Sequence, residues 1–159
     1  MIRPDGLVDA NGKTFKYLVA TKVGAKSGVS MFFGQKGMNL LKSIEELATT
    51  PYDDQTGKDI TVWVEGATIG YGHLIAKSNW SKYRDGLTEA EALALFKADL
   101  SPFVNTVKNK VKVSVTQNEF DAMVILAFNI GEAGFSSSSV LKMVNNPLAT
   151  TAYATLEKA

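Results

Sequence analysis

The chain contains no cysteine, so it has neither disulfides nor thiolate metal ligands. It has one histidine, His73. The usual zinc hydrolases need more imidazole than that, and a Ser-His-Asp arrangement needs a nucleophile elbow that this sequence does not show, so no metal site is expected. Long apolar runs are also missing. The longest, such as 122–130, falls far short of the roughly 20 residues that cross a bilayer, so stable membrane insertion is not expected. Charge of one sign is not in excess: 17 basic and 16 acidic residues leave a net +1, which argues against a nucleic-acid or membrane-surface binder. Arg3 is followed by Pro4, Asp5 and Gly6 rather than an apolar core, so no signal peptide is expected and export would need another carrier.

What is present is an ordinary globular composition, 45% apolar and 21% charged over 159 residues, enough for one domain and a short appendage. The appendage is residues 1–37, which hold six basic and two acidic residues while the remainder of the chain is net acidic. Asn11-Gly12 is a turn signal between Leu7-Val8 and the strand-like run 14–23, and a Gly/Ser/Lys-rich stretch follows. These features predict a basic β-hairpin and linker over 1–37, either a leader or a wall-binding element, and a domain over 38–159.

Within that domain, Asn39 is a good N-cap for a helix whose apolar face is Leu40, Leu41, Ile44, Leu47 and Ala48. From Pro51 to His73 short strands and turns take over, with turns at Thr56-Gly57 and Glu65-Gly66 and alternation of Ile60, Val62 and Val64 with polar neighbours. Thr88 and Glu91 form a capping box before a helix, and 100–111 reads as a separate helix begun near Pro102. A second box, Thr116 and Glu119, opens a helix apolar nearly all round, with Gly131 as its terminator. Ser139 caps a short helix through Val144, and a last helix covers 150–158. One helix, a small antiparallel sheet and then only helices predict an α+β fold, a sheet lobe beside a larger helical lobe.

The chemically suggestive stretch is 43–73. Glycoside hydrolysis needs two carboxyl groups in unlike environments, one holding a proton and one ionised. Glu45 borders the apolar helical face, where partial desolvation raises a carboxyl pKa, whereas Glu46 points into solvent. Asp53 and Asp54 follow, although a pair of aspartates before a glycine is also ordinary turn chemistry.

The segment Glu45-Glu46-Leu47, Pro51-Tyr52-Asp53-Asp54 and then Thr68-Ile69-Gly70-Tyr71-Gly72-His73 resembles the phage lysozymes of glycoside hydrolase family 24. Glu45 and Asp54 have the family's eight intervening residues. Two further blocks stand in the family's order: Leu87-Thr88 through Asp99-Leu100, and Ala127-Phe128-Asn129-Ile130-Gly131 followed by Phe135 and 136–139. The resemblance covers roughly 38–158 and implies a lysozyme-like fold and a muramidase, cleaving the β-1,4 bond between N-acetylmuramic acid and N-acetylglucosamine of peptidoglycan, with inversion.

The same resemblance implies Glu45 as the general acid, Asp54 as its ionised partner and Thr68 as a hydroxyl that helps place water. It implies Tyr52 and Asn129 as cleft-lining residues, and His73 with Asp99 as a structural ion pair. No metal or organic cofactor is implied. Bacterial peptidoglycan is the partner, reached from the host cytoplasm through a holin, or by secretion through a delivery apparatus, and a monomer is expected. In Ile69-Gly70-Tyr71-Gly72 the glycines serve backbone geometry, because the Lys-Ser/Thr of a phosphate loop is absent.

Two departures accompany the resemblance. Thirteen residues separate Asp54 from Thr68, a longer hairpin than in compact family members, and the extra segment around 58–65 carries Trp63 and Glu65. Trp63 can stack on a sugar or pack an enlarged sheet, and Glu65 complicates the role of Asp54. The sequence also stops at Ala159, where such lysozymes continue with further helices, so the expectation is either a piece of a longer chain or a large lobe without them. The alternatives are a lytic transglycosylase, which needs only one acid/base Glu, a secreted antibacterial effector, and a peptidoglycan-binding remnant without activity.

Overall fold

The structure, a computed structural model, describes residues 31–146, 148 and 151. The expected hairpin around Asn11-Gly12 and the expected helix over 150–158 lie outside these residues. In chain order the described elements are α1 (Gln35–Glu45), β1 (Ala48–Asp53), β2 (Lys58–Asp59), β3 (Ala67–Gly70), β4 (His73–Leu74), a 3-10 turn (Lys77–Asn79), α2 (Trp80–Tyr83), α3 (Glu89–Lys110), α4 (Gln117–Ser137) and α5 (Ser139–Asn145). This is the α+β order that the sequence predicts.

The chain forms two compact units. The first, Lys42–Asp99, holds a four-stranded antiparallel sheet of order β2-β1-β3-β4. Pro51 lies where the β1–β3 register shifts; it offers no N–H, and its carbonyl accepts the Ile60 amide at 3.0 Å. Ala67, Ile69, Ile75 and Tyr83 form the buried cluster here, with Ile60, Trp63, Val64, Trp80, Leu87 and Leu95 packed against it. The expected alternating strand over 60–65 is not formed. Val62 is 67% exposed, and the segment is a loop whose Trp63 turns inward.

The second unit contains the described residues 31–41 and those from Leu100 onward. Its core is Val107, Val115, Phe120, Met123, Val124, Leu126, Ala127, Phe135, Val140 and Leu141. Met31 and Phe33 pack against this core, and the described residues 31–41 group with the helical unit.

Both capping boxes form. Glu91 and Thr88 exchange bonds of 2.8 and 3.2 Å at the start of α3, and Thr116 and Glu119 do the same for α4. Three helical expectations are corrected. The stretch 89–110 is one continuous helix with Pro102 inside; the missing N–H costs one backbone bond, and burial of Leu100 and Val107 holds the helix together. At Gly131 (φ 79°, ψ 161°) the helix breaks as expected but resumes directly to Ser137. The cap of α5 is Ser138, whose hydroxyl accepts the Leu141 amide at 3.1 Å, and not Ser139.

The start of α1 is also corrected. The helix begins at Gln35, four residues before the expected cap Asn39, and ends at Glu45. Glu46 takes the left-handed conformation (φ 48°) that turns the chain out of the helix. Leu47 is therefore 37% exposed and Ala48 opens β1, so neither belongs to the helical face assigned to it.

Candidate active site

Glu45 is the last residue of α1, where the negative end of the helix dipole disfavours an added negative charge. Its side chain is half-buried. Burial pushes its carboxyl above the ordinary value, and the nearby Asp54 carboxylate adds to the shift. Glu46, beside it in sequence, is exposed. The choice between the two glutamates made from helical geometry agrees with this placement.

The Glu45 carboxyl has a particular neighbour. Gly72 sits at φ +82°, and a Cβ built there would stand 3.1 Å from Glu45 Oε2. A side chain at this position would be strained by its backbone and would press on the carboxyl. Glycine is required here twice over, for conformation and for space.

The two aspartates divide their work. Asp53 closes the β1–β2 turn: its carboxylate accepts the Gln55 amide at 3.0 Å and the Thr56 hydroxyl at 2.7 Å, and its carbonyl accepts the Gly57 amide at 2.7 Å. Asp54 is exposed, and its amide donates to the Gly66 carbonyl at 3.1 Å. The same carbonyl accepts the Thr68 hydroxyl at 3.0 Å. Asp54 and Thr68 thus share one acceptor, and the long hairpin folds back in register with Tyr52 opposite Thr68 and Asp53 opposite Ala67. Thr68 is 4% exposed, and Tyr52 is buried beside it.

His73 lies on β4, and its Nδ1 is 2.9 Å from Asp99 Oδ2, with the Tyr83 ring edge-on at 5.3 Å between centroids. Trp63 packs on the sheet. Its indole N–H donates to the Ile75 carbonyl at 2.9 Å, its ring packs on the sheet cluster, and the Lys77 ammonium lies 5.4 Å from the ring centroid. Those contacts engage the indole N–H and the ring in packing on the sheet. Glu65 is exposed in the turn before β3. Asn129 is half-buried on α4, in the other unit.

Glu45, Asp54, Thr68, Tyr52, His73 and Asp99 are therefore all in the sheet-bearing unit. Among the described residues no group of three or more His, Asp or Glu side chains could hold a metal ion, and no single helix is long and apolar enough to cross a membrane. One residue carries no sequence expectation: Asp121, a fully buried carboxylate in the second turn of α4. Its signal was available, since an aspartate in a helix that is apolar nearly all round needs an internal partner.

Comparison with known proteins agrees with this geometry. The family model described as phage lysozyme matches residues 42–158. The endolysin of Bacillus phage PZA is 39% identical over 115 residues, 72% of this chain and 41% of that protein. The endolysin of Acyrthosiphon pisum secondary endosymbiont phage 1 is 32% identical over 72% of this chain and 70% of its own length. The chain thus spans well under half of the first relative and over two thirds of the second. Among solved structures, the muramidase domain of SpmX from Asticaccaulis excentricus is 35% identical with a TM-score of 0.59, covering 74% of this chain and 72% of that one. An endolysin from Escherichia coli O157:H7 phage FAHEc1 is 31% identical with a TM-score of 0.58, covering 74% and 69%. The matched span, the lysozyme-like α+β fold and the ordered motifs agree, and the chain belongs to the phage lysozyme family.

Proposed function

We propose that this chain is a muramidase that hydrolyses the β-1,4 bond between N-acetylmuramic acid and N-acetylglucosamine in bacterial peptidoglycan. One observation carries the reading: Glu45 is half-buried with a raised pKa, while Asp54, which contributes to that shift, is exposed. Two carboxyl groups held in unlike environments are what glycoside hydrolysis needs. Glu45 keeps its proton and delivers it to the glycosidic oxygen as the bond breaks. Asp54, exposed to solvent, acts as the base that draws a proton from the attacking water. Thr68 donates its own hydroxyl proton to Gly66, which leaves the lone pairs of its oxygen to accept from a water. A water hydrogen-bonded to Asp54 and Thr68 turns its lone pair toward the sugar, and attack from that side inverts the anomeric centre.

Tyr52 lines the path of the glycan, and the His73–Asp99 pair stabilises the fold. The protein works on the cell wall of a bacterial host as a monomer, and a holin or a delivery apparatus brings it there. The relatives named as endolysins support the lysis role.

Purified cell walls test the reading. The wild-type protein should clear them and release muropeptides with reducing muramic acid ends, while Glu45→Gln should not. Products with 1,6-anhydro ends would replace hydrolysis by transglycosylation, and equal clearing by both proteins would remove Glu45 from the mechanism.

A further inference from the structure

We propose that Asp121 is a positioning residue for Glu45, serving as the N-cap of α1 from the distant helix α4. The inference rests on the muramidase reading of Glu45 for its meaning in catalysis. A helix leaves its first amides without intrahelical partners, and a side chain just before the helix ordinarily accepts one of them. The residue at that position in α1 is Gly34, whose carbonyl accepts the Met38 amide at 2.9 Å in the first helical bond. Glycine has no side chain to cap with. Among the residues of the first turn none is acidic.

Asp121 supplies what is missing. Its Oδ1 accepts the Gly34 amide at 2.8 Å across 87 positions of sequence, and the amide of Gly37, the third helical residue, also favours its ionised form. In a local capping box these two amides are served by two different side chains. Here both positions are glycine, and a single carboxylate takes the place of both partners.

The fit is close. A Cβ on Gly34 would stand 2.5 Å from Asp121 Oδ2, and a Cβ on Gly37 would stand 2.9 Å from Asp121 Cβ. Gln117 orients the carboxylate by donating to Oδ1 at 2.7 Å, and the same amide nitrogen donates to the Phe32 carbonyl at 2.8 Å. Asp121 is 0% exposed, and its Oδ2 has no hydrogen-bond partner among the described residues.

Burying a carboxylate with one unsatisfied oxygen is costly, and an apolar residue would pack in α4 without that cost. What the carboxylate adds is a defined starting point for α1. The helix has eleven residues, roughly 16 Å of rigid rise, and its last residue is Glu45. If its first turn frays, Glu45 loses both its burial and its place. Misplacing a reacting group by about 1 Å can cost on the order of a hundredfold in rate.

The test compares Asp121→Ala, Asp121→Asn and Gly34→Ala with wild type, at a temperature where each is folded by circular dichroism. Turnover is measured on soluble peptidoglycan fragments, and the Glu45 carboxyl is titrated by carbon-13 NMR of the protein alone. Asp121→Ala and Gly34→Ala should each lower kcat roughly tenfold or more with KM within about twofold. Both should move the Glu45 midpoint down toward the ordinary range, and their effects should not add. Asp121→Asn keeps an acceptor and should recover part of the loss. If the variants only melt earlier, with kcat and the Glu45 midpoint at wild-type values, Asp121 is structural and the proposal fails. If Asp121→Ala does not fold, the other two variants decide by the same criterion. A wild type that does not cleave peptidoglycan would refute the muramidase reading, and the NMR titration would still decide whether Asp121 positions Glu45.

Discussion

The two units use carboxylates in opposite ways. In the sheet-bearing unit the acidic groups stand at edges: Glu45 half-buried at a helix end, Asp53 holding a turn, Asp54 exposed beyond β1. In the helical unit a single carboxylate, Asp121, is sealed inside an apolar helix between Phe120 and Ala122. The first arrangement keeps charge accessible to a substrate, and the second spends charge on backbone amides. Position relative to water, more than residue type, separates a group that reacts from one that anchors.

Substitutions should expose that contrast. The largest effect is expected for Glu45→Gln, which should lower wall-clearing activity by roughly 10²–10⁴-fold. It should also raise the melting temperature at neutral pH. The folded-state pKa of Glu45 lies above its ordinary 4.5, so ionisation costs folding stability. That cost is absent below the ordinary value and grows as pH rises through the raised one. The thermal gain of Glu45→Gln should therefore be present at pH 7 and vanish in acid; a gain independent of pH would contradict the buried-acid reading. Asp121 has the same sign, since burial outweighs the amides that favour its ionised form.

Phe135→Ala should do the reverse, costing about 3–5 kcal/mol of stability by chemical denaturation while leaving turnover per folded molecule near wild type, because Phe135 is a fully buried member of the helical core. A smaller effect separates the neighbouring aspartates. Asp54→Asn should reduce clearing by about tenfold or more with little change in melting. Asp53→Asn should retain activity and lose about 1 kcal/mol through its turn bonds. Reversed outcomes would exchange their roles. Smallest of all, Asp99→Asn should cost about 1 kcal/mol through the partly exposed His73 contact, with substantial activity kept.

Much of the site is legible in one dimension because its parts are close in sequence. Glu45, Asp54 and Thr68 fall within a single helix-to-hairpin passage, and helical geometry alone separates Glu45 from Glu46. The capping boxes at Thr88 and Thr116 are local, and they form as read. Trp63 is ambiguous in one dimension for a physical reason: an amphipathic ring suits a sugar and a sheet equally, and its bond to Ile75 is visible only in three dimensions.

The sequence by itself determined the α+β order, the candidate acid and its partner, and the turns that join them, because each depends on residues a few positions apart. Tertiary structure alone decided where α1 begins. No residue near Gly34 predicts that start, since the group that caps it is Asp121, brought to it by folding across 87 positions. A cap supplied through space leaves only two glycines and one misplaced aspartate as its trace in the sequence. Its hydrogen bonds exist only after the helical core has formed.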